Sequence, residues 1–122
     1  MTDVLEGGAV NLAVSNAMVQ LYKELFGRGP TKARTHFAGP DLLVTTLEDT
    51  FTQAERLLVE LGEFERLRDS RTFLQYAAEG RFRETVEALT GRRVVGFVSG
   101  LDAARDIAAE LFYLEPLAEP AT

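Results

Sequence analysis

The chain has 122 residues, 46% of them apolar and 26% charged, with no cysteine and a formal net charge of −6. That length suits one domain burying roughly two thirds of its unfolded surface, and the composition argues against disorder. The lack of cysteine excludes disulfides, thiolate catalysis and cysteine-based zinc sites, no apolar run approaches the ~20 residues that span a bilayer, and the negative charge disfavours nucleic acid and anionic lipid.

Residues 1–8 contain Gly7-Gly8 and little pattern, and read as a flexible N-terminus. The acidic start Met1-Thr2-Asp3 is not expected to be a signal peptide, whose first residues would be basic. Over residues 9–26, Val14, Met18, Leu21 (with Tyr22) and Leu25 recur at helical spacing. Gly27 supplies a left-handed cap and Pro30 forbids continuation. Residues 31–38 alternate, with Lys32, Arg34 and His36 on one side and Ala33, Thr35 and Phe37 on the other, which predicts a strand. Gly39-Pro40-Asp41 is a turn, and residues 42–48 are a second strand, rich in β-branched side chains. So short a link makes the pair an antiparallel hairpin.

Thr52-Gln53-Ala54-Glu55 matches a capping box, without a hydrophobic staple because Arg56 occupies its inner position. A short helix should run to Leu61 and stop at Gly62. Phe64, Leu67, Arg71, Leu74, Ala78, Phe82, Val86 and Leu89 then follow a spacing of three or four, with Arg71 the single polar member. They predict one long helix ended by Gly91, about 26 residues and roughly 39 Å at the standard rise, with Gly80 as the place to bend. Such a rod overhangs a domain of this size. Phe64, Leu67, Arg71, Leu74, Phe82 and Val86 are therefore candidate contacts of a homodimer.

Residues 94–98 predict a strand, with a turn near Ser99-Gly100-Leu101-Asp102. In residues 106–114 the alanines favour helix, while the ending and the hairpin-like spacing favour strand; the strand reading is preferred. Pro116 and Pro120 mark a flexible tail over 116–122. The expected architecture is one α+β domain over 9–115, in the order α-β-β-α-α-β-β, with an antiparallel sheet of about four strands packed on helices.

The charge is uneven. Arg28, Lys32 and Arg34 lie in a stretch with no acid, whereas Asp102, Asp106, Glu110, Glu115 and Glu119 face Arg105 alone in the last part of the chain. Gly27, Arg28, Gly29, Lys32, Arg34 and His36, extended by Arg92 and Arg93, make a candidate surface for an anion or an acidic partner. The plainer reading is a helix cap followed by the wet face of an edge strand. Arg71 in an apolar stripe reads as a buried salt-bridge partner or as a side chain snorkelling at a subunit interface. The acids Asp41, Glu48, Asp49 and Glu55 are better explained by turn, loop and cap than by acid–base catalysis. Nucleophilic catalysis would need a base beside its nucleophile, and a metal would need several ligands; the one histidine, His36, supplies neither. No cofactor, metal or enzymatic activity is expected.

Taken together, Tyr22-Lys23-Glu24-Leu25-Phe26-Gly27-Arg28-Gly29-Pro30, Asp41, Leu47-Glu48-Asp49-Thr50-Phe51-Thr52-Gln53-Ala54-Glu55 and Leu89-Thr90-Gly91-Arg92-Arg93-Val94 resemble the family of the C component of a Na+-translocating membrane-potential-generating system (Mps C). Phe51 departs mildly from the Leu expected before the Thr-x-x-Glu box. The resemblance implies a small, soluble bacterial protein, some of whose relatives are linked to membrane machinery for cation or bicarbonate movement, and it supports a strand at 106–114. It transfers no catalytic residue. The expected function is a non-enzymatic accessory protein, homodimeric and cytoplasmic, reaching the inner membrane only through a membrane ion-transport partner. An anion-binding sensor using the Gly27–Arg34 turn is the alternative, and an enzyme built on arginines and carboxylates the third reading.

Overall fold

The computed structural model describes residues 7–117, and the ends expected to be flexible lie, over 1–6 and 118–122, outside the described residues. Helix α1 (Gly7–Phe26) begins in the Gly7-Gly8 pair assigned above to the loose end. Val10, Val14, Met18, Leu21 and Tyr22 are buried along one stripe of it, as their spacing requires. Gly27 ends the helix at φ +78°, donating its N–H to the Lys23 carbonyl at 2.9 Å.

Strands β1 (Lys32–Phe37) and β2 (Leu42–Glu48) form the expected hairpin, with Lys32 opposite Glu48 and Phe37 opposite Leu43. Helix α2 (Gln53–Glu60) carries the capping box in full: Thr52 Oγ1 accepts from the Glu55 N–H at 3.2 Å, and Glu55 accepts from the Thr52 N–H at 2.9 Å. Gly62, at φ +73°, turns the chain into the next helix.

The single long helix is in fact two, α3 (Phe64–Ala77) and α4 (Glu79–Thr90). The break is at Ala78, whose ψ of 12° leaves the helical region, and not at Gly80, which lies inside α4. A straight rod of about 39 Å could not keep both halves of its apolar stripe on so small a sheet. Breaking it lets Leu67, Arg71 and Gln75 of α3 and Phe82 and Val86 of α4 all reach the interior.

Strand β3 (Val94–Asp102) runs through the turn expected at Ser99–Asp102, with an irregularity between Val94 and Gly96. The reversal comes after it, where the Asp102 carboxylate accepts from the N–H groups of Ala104 and Arg105, each at 3.1 Å. Strand β4 (Ile107–Leu114) confirms the strand reading of its segment. All pairings are antiparallel and the sheet order is β1-β2-β4-β3. The observed order, α-β-β-α-α-α-β-β, differs from the expected one only by the split helix.

The helices cover one face of the sheet: α1 packs on β1 and β2, α3 and α4 on β3, and α2 on α3. The main core joins Val14, Met18 and Tyr22 to Leu43, Leu47, Phe82, Val86 and Phe112. A smaller cluster of Phe51, Leu67 and Ala103 sits under the α2–α3 connection. Alternation places Lys32, Arg34, His36, Val44, Leu111, Val98 and Tyr113 on the other face, all exposed except the half-buried Val44 and Leu111.

Candidate functional site

The densest set of polar contacts surrounds the link from β2 into α2. Two residues bracket it with left-handed backbones, Asp49 at φ +59° and Asp106 at φ +54°, a conformation uncommon outside glycine and tolerated best by Asn and Asp. Asp106, in the β3–β4 turn, accepts from the Thr50 N–H and Oγ1, each at 2.8 Å, and from the Phe51 N–H at 2.9 Å. Its carbonyl accepts from the Asp49 N–H at 3.2 Å. The loop is thereby tied to a turn that lies far along the chain.

Arg71 ties the same loop from the helical side. Its Nε and Nη2 donate to Glu55 Oε2 and Oε1 at 2.6 and 2.7 Å, a bidentate pair, and Nη2 also donates to the Thr50 carbonyl at 2.7 Å. Its side chain is fully buried. The guanidinium carbon lies 3.7 Å from the Phe26 ring centroid and 5.4 Å from that of Phe51, so aromatic faces replace the lost water. Burial works to raise the Glu55 pKa, and the hydrogen bonds from Arg71 and Thr52 outweigh it, holding the carboxyl below its ordinary value. Of the two readings of Arg71, the buried salt bridge is the one observed.

Arg28 completes this junction. Its Nη1 donates to the carbonyls of Asp49 and Phe51 at 2.6 and 3.0 Å, and its Nη2 pairs with Asp49 Oδ2 at 3.0 Å. Arg56 holds Asp49 Oδ1 at 2.9 Å. The hydrogen bonds from Arg28 and Thr31 lower the Asp49 pKa. Arg92 serves the same purpose at the other end of the hairpin, donating to the carbonyls of Pro40 and Glu115 at 2.7 and 2.9 Å and pairing with Asp41 at 2.6 Å.

The expected basic surface is therefore not one patch. Arg28 and Arg92 lie at opposite ends of β2, separated by roughly the 23 Å that seven strand residues span, and both are bound to carbonyls and carboxylates of this chain. Gly27 is the helix cap, and a Cβ on Gly29 would stand 2.9 Å from the Lys23 side chain. Lys32 reaches Glu48 only at 4.0 Å, and Arg93 is exposed. Arg34 and His36 point from β1 on the open face, and among the described residues neither makes an ion pair or a side-chain hydrogen bond. The acids Asp41, Glu48, Asp49 and Glu55 each face a different basic partner rather than one another.

Of the candidate dimer contacts, Leu67, Arg71, Phe82 and Val86 are at most 1% exposed within the single chain, and Phe64 is half-buried. Leu74 alone is open, beside Phe73 and Tyr76 on the outer side of α3. The apolar stripe is the chain's own core.

A second buried polar set has no counterpart in the sequence reading. Gln75 Nε2 approaches Tyr22 Oη at 3.2 Å, Ser99 Oγ at 2.5 Å and Glu110 Oε1 at 2.9 Å, and Ser99 Oγ bonds Glu110. Glu110 is fully buried, and burial raises its pKa to about 7 against the hydrogen bonds from Ser99 and Gln75. Burial, and then Glu110, raise that of Tyr22. The clue lay in alternation, since Glu110 sits between Ala108 and Phe112 on the inward face of β4. Gln75, four residues after Arg71, likewise shares its buried stripe, while Leu74 turns outward.

Among the described residues, no group of three or more His, Asp or Glu side chains could hold a metal ion, and no helix is long and apolar enough to cross a membrane. No curated protein and no solved structure matches the chain. Arg28 and the link residues Asp49–Glu55 fall in the segments Tyr22–Pro30 and Leu47–Glu55, which carried the resemblance, whereas Arg56, Arg71 and Asp106 of the same junction lie outside them. The model of the family described as Na+-translocating membrane potential-generating system (MpsC) matches residues 7–116, and the chain belongs to that family.

Proposed function

We propose that this chain is a non-enzymatic accessory component of a membrane-potential-generating system, acting by contact with a membrane ion-transport protein and lying in the cytoplasm against the inner membrane through that partner. The family match over nearly the whole described chain carries the reading. The chemistry of the interior supports it. The carboxylate with the most raised proton affinity, Glu110, is sealed in the core, and Arg28, Arg71 and Arg92 are bound to the chain's own loops. An anion site at the Gly27–Arg34 turn would first have to displace Asp49 from Arg28.

Self-association belongs to the same proposal, through a contact other than the buried stripe. Phe73, 72% exposed, lies with Leu74 and Tyr76 on the outer side of α3, and this is the surface a second copy would cover. The test is affinity capture of the tagged chain from native membranes, with the mass of the purified chain measured by light scattering. A multi-span transport protein recovered in stoichiometric amount is expected, and a two-chain mass that Phe73→Glu halves. Capture without any membrane protein would overturn the accessory role. A single-chain mass at tens of micromolar would overturn self-association alone.

A further inference from the structure

The two edges of the sheet are finished differently. On β2, the Asp49 N–H and the Asp41 carbonyl bond to β4, so the odd-numbered residues between them face β4 and the even-numbered ones face β1. The Ala38 N–H bonding to the Leu42 carbonyl agrees. It follows that Lys32, Arg34 and His36 bond to β2, while the N–H and C=O groups of Ala33, Thr35 and Phe37 point away from the sheet. Among the described residues, no side chain or other strand bonds to these outward groups.

On β3 two of the corresponding positions, Val94 and Ser99, are closed by side chains. The Val94 N–H bonds to Glu87 Oε2 at 2.8 Å, and its carbonyl accepts from Arg83 at 2.7 Å. The Ser99 N–H bonds to Tyr76 Oη at 2.9 Å, and the Tyr76 hydroxyl in turn reaches the Ser99 carbonyl. An edge sealed by side chains resists a further strand, and an unsealed one is a template for it.

We propose that the β1 edge, residues 32–37, is a strand-addition site for an extended acidic segment of a partner protein. This rests on the accessory reading above and names the surface it uses. Charge selects the occupant. Lys32, Arg34 and His36 line the open face of this edge in a chain of net charge −6, and the latter two have no ion-pair partner among the described residues. A second β1 laid against the first would bring like charges together, so the edge rejects its own copy. A segment alternating acidic and apolar residues would place its acids beside Lys32, Arg34 and His36. Its apolar side chains would lie beside Ala33, Thr35 and the exposed Phe37, on the side covered by α1.

The probe is an acetylated, amidated hexapeptide alternating Glu and Val, titrated into the isotopically labelled chain and followed by NMR. In the free chain the amides of Ala33, Thr35 and Phe37 should exchange faster than those of Arg34 and His36. Saturating peptide should protect them and shift residues 32–37. The Lys-Val analogue, a peptide N-methylated at alternate amides and the variant Arg34→Glu should each weaken binding at least tenfold. Outward amides already protected in the free chain, shifts confined to other elements, or binding unmoved by N-methylation or by Arg34→Glu would overturn the site. If Arg34→Glu leaves membrane capture of the transport partner intact, the edge assignment fails while the accessory role stands.

Discussion

Arg71 shows how one side chain can decide a local structure. Fully buried, it meets Glu55, the Thr50 carbonyl and the Phe26 ring, so its charge is paired and its donors are directed at once. Removing one partner of such a buried pair leaves an uncompensated charge, at a cost of about 3–5 kcal/mol. Glu110 is the opposite case, a buried acid with no basic partner among the described residues. Its folded pKa, about 7, lies above the ordinary 4.5. Its favourable contribution is therefore complete below pH 4.5 and is lost as pH rises towards 7, by roughly 3 kcal/mol for a shift of that size. Glu55, with its lowered pKa, acts with the other sign: its contribution is present above 4.5 and is lost as pH falls below it. Urea midpoints measured from pH 3 to 8 should peak between these limits, and Glu110→Gln should flatten the fall on the neutral side while leaving the acid side unchanged. A neutral-side slope that survives the substitution would refute this role for Glu110.

Elements were legible where the signal is local. Gly27, the capping box at Thr52 and the alternation of 42–48 each act within a few residues, and each stands where the sequence put it. The break at Ala78 was not legible, because the apolar spacing runs through it and only the width of the sheet forces it. The roles of the arginines were hidden for a related reason: a sequence displays charges but not distant partners. Arg28 finds Asp49 and Phe51, and Arg92 finds Asp41 51 residues away. What looked like a basic surface is largely loop fastening, and open charges remain on β1 and at Arg93. Arg28→Ala should accordingly lower stability by about 1–2 kcal/mol, reduced from the full value of its charged hydrogen bonds by partial exposure. Arg34→Ala should stay within about 0.5 kcal/mol of the parent, as surface changes do. Equal denaturation midpoints for the two variants would mean that Arg28 does not fasten the β2–α2 link.

For the whole molecule, the distribution of charge matters more than its sum. Acids outnumber basic residues 19 to 13, and most of the arginines are tied to acids or carbonyls of the same chain. The open positive charge left on the sheet is a short row on β1, with Glu48 across from Lys32. An anionic bilayer attracts a basic residue at its surface by about 1 kcal/mol, within a Debye length. A row of that size is too weak to offset the repulsion of the remaining acidic surface, and no described helix is long and apolar enough to insert. The same row suffices in a protein groove, where an extended acidic segment adds backbone hydrogen bonds to each charge contact and water is partly excluded. Membrane recruitment should therefore depend on a protein. Sedimentation with protein-free vesicles rich in anionic lipid should leave the chain in the supernatant at physiological salt, whereas membranes containing the transport partner should carry it down. Retention by the lipid alone, lost on raising the salt, would make the β1 row a direct membrane contact and remove the need for the partner.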